Sequence, residues 1–175
     1  QAAMSAGFDP IKINVVLMRG VNDNEIDDFI DLTAKQKIDV RFIEYMPIGN
    51  GTGSDLLRLN NQEIIEARPW LKPIPPRLHG QPSTDYTYEG AQGRVGFISP
   101  ISHRFCADCN RIRILSDGYL RTCLGKDSEV SLSEALAEGK DALKRVISEA
   151  IYEKPERHCF DKESLEKRNM SRIGG

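Results

Sequence analysis

Two apolar, β-branched runs bracket a single amphipathic stretch near the start of this 175-residue chain, and that order restricts its fold more than any other feature. Residues 11–18 read Ile-Lys-Ile-Asn-Val-Val-Leu-Met, and residues 39–46 carry Val40, Phe42, Ile43 and Tyr45 ahead of Met46. Runs of this kind are expected as strands buried on both faces, as parallel strands are. Between them Asn22 and Glu25 give a capping-box-like start, and Ile26, Phe29, Ile30 and Thr33 form a helical stripe through Gln36. A strand, a helix of about a dozen residues and a second strand make a βαβ unit with parallel strands. Two parallel strands do not cover both faces of a sheet by themselves. The fold class is therefore expected to be α/β, with 1–48 the last βαβ part of an incomplete (β/α) barrel and 49–175 a small α+β extension.

Gln1 to Ala6 are helix formers and Gly7 stands where a C-capping glycine would, so the chain starts as the last turn of a helix. This reads as the C-terminal portion of a longer protein. After a glycine-rich loop at 47–54, residues 60–68 form a short helix stopped by Pro69, and 71–83 form a proline-rich connector. Residues 86–89 and 94–99 are short strands joined through Gly90 and Gly93. Residues 111–115 and 119–122 flank Ser116-Asp117-Gly118, an Asp-Gly hairpin turn. Helices are expected over 132–138 and 141–152, the second with Leu143, Val146, Ile147, Ala150 and Ile151 on one face.

The hairpin brings Cys123 back towards the pair Cys106-Ala107-Asp108-Cys109. A C-x2-C pair and a third thiolate can hold a structural zinc, with His103, His158 or Cys159 as fourth ligand. They can equally hold a 4Fe–4S cluster with three thiolates and one open iron. Cys159 lies beside His158 in a segment with no strand or hairpin to position it, and is read as an ordinary cysteine. Free thiols in this pattern suit a reducing compartment.

Charge narrows the partners. Formal net charge is −2, so no global basic field of the kind that drives nucleic-acid binding exists. No apolar run approaches the roughly 18–20 residues of a membrane span. Between His103 and Cys123, however, Arg104, Arg111, Arg113 and Arg121 outnumber Asp108 and Asp117. On a strand Arg111 and Arg113 would face the same way, which suits a bound phosphate or carboxylate. The same arginines would also suit a solvated edge strand. Lys12 and Arg41 are cations in otherwise apolar strands; a structural ion pair, for example with Glu44, would account for either. Met46 ends the second strand, where barrel enzymes place ligand-binding groups. Gly49-Asn50-Gly51-Thr52-Gly53 lacks a P-loop lysine and opens no helix, so it is discounted as a phosphate loop.

The stretch Gly96-Phe97-Ile98-Ser99-Pro100, then Phe105 to Arg113, then Asp117-Gly118 and Cys123-Leu124, closely resembles the GTP 3′,8-cyclase family, radical S-adenosylmethionine (SAM) enzymes of molybdenum cofactor biosynthesis. Ile11 to Val16, Arg41 to Pro47 and Arg172-Ile173-Gly174-Gly175 resemble the same family in the same order. The resemblance implies an incomplete α/β barrel with two 4Fe–4S clusters, the N-terminal one binding and cleaving SAM. By position, Cys106, Cys109 and Cys123 would hold the second cluster, whose open iron takes the purine of GTP. Arg111, Ile112 and Arg113 would line the GTP site with Lys12, Met46 would contact SAM, and Arg41 would lie in the active site. Gly174-Gly175 would reach into the barrel and support catalysis.

The resemblance further implies a cytoplasmic enzyme, with homodimerisation an option, that makes (8S)-3′,8-cyclo-7,8-dihydroguanosine 5′-triphosphate by means of a 5′-deoxyadenosyl radical. One departure is plain: the C-x3-C-x2-C motif of the SAM cluster is absent from these 175 residues. The polypeptide alone is expected not to turn over GTP. The rival reading is a non-catalytic zinc-binding module that recognises anionic partners.

Overall fold

The computed structural model describes residues 1–46, 48, 54–126, 128–158 and 160. Cys159, Gly174 and Gly175, named above, lie outside the described residues, as does the loop at 49–53. The described residues form two compact units, one of 1–46 with 54–105 and the other of Ile48 with the described residues from Cys106 onward.

In the first unit, a short helix α1 (Ala2–Ser5) precedes strand β1 (Ile11–Leu17), helix α2 (Ile26–Lys35) and strand β2 (Ile38–Glu44). β1 and β2 are parallel and in register from Ile11–Ile38 to Leu17–Glu44, as the βαβ reading requires. Short helices α3 (Ser54–Leu57) and α4 (Asn61–Glu66) follow, then β3 (Lys72–Ile74), β4 (Ser83–Thr87) and β5 (Val95–Ile98). Asn60 caps α4, its side chain accepting from the Gln62 N–H at 2.9 Å. The five strands form one mixed sheet in the order β1-β2-β5-β4-β3. β5 runs parallel to β2, and β3 and β4 are antiparallel to their neighbours. The fold is thus α/β with a mixed sheet.

The register sorts side chains onto two faces. Val15, Leu17, Val40, Phe42, Val95 and Phe97 lie on one, under α2 and α4, and together with Ile26, Ile30 and Ile64 they make the core. Burying each large apolar side chain contributes roughly 1.5–3 kcal/mol. Phe42 and Tyr86 both pack on Phe97, with ring centroids 5.6 and 5.5 Å away. The other face carries Lys12, Asn14, Arg41, Ser83, Asp85 and Gly96.

Several local expectations are corrected. β1 is not buried on both faces: Lys12, Asn14 and Val16, which share one face, are exposed, because among the described residues no core residue packs on that face of this edge strand. Asn22 does not cap α2. Its side chain accepts from the Met18 N–H (2.9 Å) and donates to the Val16 carbonyl (3.0 Å), tying off β1, while a 3-10 turn (Asp23–Glu25) leads into the helix. The proline-rich connector contains β3, an edge strand where Pro73 costs no ladder bond. β4 begins at Ser83, three residues earlier than expected.

In the second unit, β6 (Arg113–Ile114), β7 (Tyr119–Arg121) and β8 (Glu129–Ser131) form an antiparallel sheet. The Asp-Gly turn between β6 and β7 forms as expected: Gly118 has φ +81 and donates to the Leu115 carbonyl at 3.0 Å. Helices α5 (Ser133–Glu138) and α6 (Lys140–Tyr152) follow, and Leu143, Val146, Ile147 and Ala150 of α6 pack with Leu120 and Leu132. Ile151, expected on that face, is instead exposed. Arg111 and Ile112 precede β6 rather than lying in it, and β8 had no clear pattern in the sequence.

Candidate thiolate and anion-binding site

In the first unit the register places Lys12 and Arg41 on the same, polar face of the sheet, Lys12 opposite Asp39 and Asn14 opposite Arg41. Asp39 is already engaged, accepting both guanidinium arms of Arg77 (2.6 and 3.2 Å) and the Arg94 N–H (3.0 Å). Lys12 remains exposed to solvent. Arg41 pairs in the ladder with Gly96, and a Cβ at Gly96 would lie 3.1 Å from Arg41 Cγ and 3.2 Å from Asp85 Oδ1. The bare glycine therefore gives the Arg41 stem its passage beside Asp85. Asp85 itself accepts from the Ser83 hydroxyl at 2.7 Å and Arg94 at 3.3 Å.

The suggested pairing of Glu44 with a strand cation does not form among the described residues. Glu44 belongs to the opposite face at the end of β2, where it accepts from the N–H groups of Ile101 and Ser102, each at 3.0 Å, and from the Ser102 hydroxyl. Met46 follows two residues beyond the end of β2, half-buried. His103 is held in the first unit, where with Ser99, Ser102, Tyr86 and Phe97 it lines a cleft of about 550 Å³.

The second unit holds the three cysteines, all half-buried free thiols. The C-x2-C turn closes through the Cys109 N–H donating to the Cys106 carbonyl at 3.1 Å. Burial pushes the Cys123 thiol up, and the charges of Cys106 and Cys109 push it further, only partly opposed by a hydrogen bond from the Gly125 N–H and by Lys154. Burial would also raise Cys109. There the Arg111 N–H and the charges of Lys154 and Arg111 more than offset it, and the thiol lies below its usual range. Among the described residues no three His, Cys, Asp or Glu side chains are already gathered as a metal-binding group. The donor chemistry nevertheless fits an iron–sulfur cluster. Cys109 and Cys123 each receive a backbone N–H from the residue two positions on, the charges of Cys106 and Cys109 reach Cys123, and Lys154, Arg111 and Arg113 act on the same sulfurs. These are the surroundings that hold and tune thiolate-ligated clusters.

The arginines converge on the same place. Arg113 and Arg121 are directly opposite in the β6–β7 ladder. Burial holds the Arg113 guanidinium below its ordinary range, as do Arg111 and Arg121, against the opposing pull of Cys109 and Cys123. Like charges facing each other across a ladder destabilise it; Arg121 has Glu129 opposite it on its other side, and the guanidinium forks of Arg111 and Arg113 are of the kind that suits a bound anion. Ile112 is exposed between Arg111 and Arg113. Sequence reasoning missed Lys154, whose ammonium lies 3.4 Å from Cys109 Sγ. Its only advance signal is a cation just past the C-terminus of an amphipathic helix.

His158 packs its ring on Phe160 at 4.6 Å between centroids and lies over Gly125, where an added Cβ would meet His158 Cβ at 2.9 Å. The packing seats the segment after α6 directly on the turn that follows Cys123.

Fold and site together define a mixed α/β protein whose second unit carries a cysteine–arginine hairpin. The chain belongs to the Molybdenum Cofactor Synthesis C family, which matches residues 38–160. It is similar to the GTP 3′,8-cyclase of Petrotoga mobilis, 42% identical over 183 residues that cover 100% of this chain and 56% of the relative. The GTP 3′,8-cyclase of Alkaliphilus metalliredigens is 44% identical over 178 residues, and that of Clostridium botulinum strain Hall 41% over 180. Each alignment covers 100% of this chain and 55% of the relative. The chain thus spans about half the length of the curated relatives it matches. Among the described residues no helix is long and apolar enough to cross a membrane.

Proposed function

We propose that this chain is the C-terminal part of a GTP 3′,8-cyclase of molybdenum cofactor biosynthesis, and that Cys106, Cys109 and Cys123 hold a 4Fe–4S cluster beside a GTP site. The observation that carries the reading is the placement of Arg111 beside Cys109 and of Arg113 beside Cys109 and Cys123, in a chain similar to cyclases over its whole length. When bound, the cluster would offer an iron open to the purine. Arg111 and Arg113 would pair with charged or carbonyl groups of the nucleotide, as planar guanidinium forks do, with Ile112 against its apolar surface. Lys12, exposed on the polar strand face, would contact GTP. Arg41, steered past Gly96, would act on the same face, and Met46 would contact SAM at the end of β2.

In the intact protein β1 and β2 would close an incomplete (β/α) barrel, whose missing part would carry the second 4Fe–4S cluster and cleave SAM. Gly174 and Gly175 would support catalysis there. Free thiols support a reducing, cytoplasmic setting.

Anaerobic reconstitution with iron and sulfide, followed by calorimetric titration of GTP, tests the reading. Close to four irons per chain are expected, lost in Cys106→Ala, Cys109→Ala or Cys123→Ala and kept in Cys159→Ala. With iron retained, Arg111→Ala or Arg113→Ala should weaken GTP binding about ten- to a hundred-fold, the worth of one hydrogen bond to a charged group. Zinc in place of iron, or undiminished GTP binding in both arginine variants, would overturn it.

A further inference from the structure

We propose that Lys154 is a positioning residue of the thiolate site: it fixes the 109–111 segment and donates a hydrogen bond to the Cys109 sulfur, thereby setting the reduction potential of the cluster held there. The inference rests on the iron–sulfur reading above.

Three contacts carry it. The Lys154 ammonium donates to the Cys109 carbonyl at 2.6 Å, to the Arg111 carbonyl at 3.0 Å and to Cys109 Sγ at 3.4 Å. An ammonium has three N–H bonds and no acceptor, so these partners use its full capacity. The residue is delivered by a packed element. It stands two positions beyond α6, where the last turn closes through Glu153 N–H to the Glu149 carbonyl (2.9 Å) and Lys154 N–H to the Ile151 carbonyl (3.2 Å). α6 in turn is seated on Leu120 of β7, in the hairpin that leads to Cys123.

A lysine that merely satisfied loose carbonyls would require nothing of the cysteine side chain. Here the same ammonium spans both carbonyls and the sulfur between them. Hydrogen bonds to ligand sulfurs and local charge are recognised levers on cluster potential. A cation and an N–H donor both favour the reduced, more negative state.

The test is a redox titration, followed by electron paramagnetic resonance, of the iron- and sulfide-reconstituted protein and its Lys154→Met, Lys154→Gln and Lys154→Arg variants. Iron content is expected to stay near the parent's. The potential of Lys154→Met should fall by about 59 mV, a tenfold change in a one-electron reduction equilibrium. Lys154→Gln, which keeps a donor without the charge, should fall between, and Lys154→Arg should recover at least half the shift. If Met and Gln variants hold iron at the parent's potential, Lys154 is only a carbonyl cap, and the inference falls while the iron–sulfur reading stands. Loss of iron in all three variants, arginine included, makes the residue purely structural and equally overturns the inference. If the parent itself binds no cluster, both fall. Should Lys154→Met not fold, the glutamine and arginine variants decide by the same criterion.

Discussion

The carboxylate of Glu44, fully buried at the end of β2, accepts the hydroxyl of Ser102 and the backbone N–H groups of Ile101 and Ser102. One side chain thus satisfies three donors of the loop that follows β5, and it joins two parallel strands at their C-terminal ends. Removing it takes the charged acceptor from two backbone N–H groups and one hydroxyl of a partly exposed loop, where a hydrogen bond to a charged group contributes about 1.5–3 kcal/mol. Glu44→Ala is expected to lower stability by about 3 kcal/mol, the upper end for hydrogen bonds to a charged group, and Ser102→Ala by about 1.5 kcal/mol, the lower end. Urea midpoints at constant slope measure both. Equal, small losses would mean the loop holds itself.

Gly93 has no room for a side chain. A Cβ there would lie 1.9 Å from the carbonyl oxygen of Ile38, at the start of β2. The backbone must therefore give way at the point where β2 meets β5, and Gly93→Ala is expected to cost about 3 kcal/mol or more, the upper end of overpacking effects. Gly90 is the control. It needs its left-handed φ of +86 but has open space around it, so Gly90→Ala should cost only about 1–2 kcal/mol. Thermal unfolding of the pair gives the order; the reverse order would show the backbone at Gly93 to be yielding.

Asp27 on α2 receives a bidentate pair from Arg68, Nε to Oδ1 at 2.6 Å and Nη2 to Oδ2 at 2.8 Å. That hydrogen bonding holds the Asp27 carboxyl below its usual 3.8, against a small opposing effect of burial. A carboxyl depressed in the folded state contributes stability above its unfolded pKa and loses it as pH falls through the folded one. Because Asp27 is largely exposed, the contribution should be no more than about 1 kcal/mol. The stability gap between parent and Asp27→Asn should therefore be present at pH 6, shrink below pH 3.8, and diminish in high salt. A gap that grows on acidification would reverse the assignment.

Arg121 is 1% exposed in the second sheet, directly across the β7–β8 ladder from Glu129, with Nε 3.7 Å from Oε1. Removing one member of a buried pair takes away part of the other's charge compensation, at up to about 3–5 kcal/mol. Glu129→Leu is expected to fall in that range. The double variant Arg121→Met with Glu129→Leu should recover most of the loss, since apolar replacements of buried pairs are often neutral. A four-member denaturation cycle measures the coupling, and additive losses would show that the two residues act independently.

Local patterns determined what kind of element each segment would be. The stripe of Ile26, Ile30 and Thr33 specified α2, the alternation to Asp117-Gly118 specified the hairpin, and C-x2-C brought Cys106 and Cys109 into one turn through a short backbone bond. These depend on periodicity, turn chemistry and covalent proximity, all of which reside in a few consecutive residues. Beyond the βαβ unit and the hairpin, partnership between segments came from the tertiary structure alone. Every strand offers the same backbone donors and acceptors, so nothing within 95–98 announces that it will lie between β2 and β4. That pairing is what brings Gly96 under Arg41 and sets Glu44 against Ser102. The strand order likewise left β1 at an edge, with Lys12 in solvent, although its composition reads as buried on both sides. The same holds for Lys154, 45 residues from Cys109. Its charge is evident in the chain, but it finds the sulfur only because the apolar face of α6 packs on β7, and packing is decided by the whole core at once.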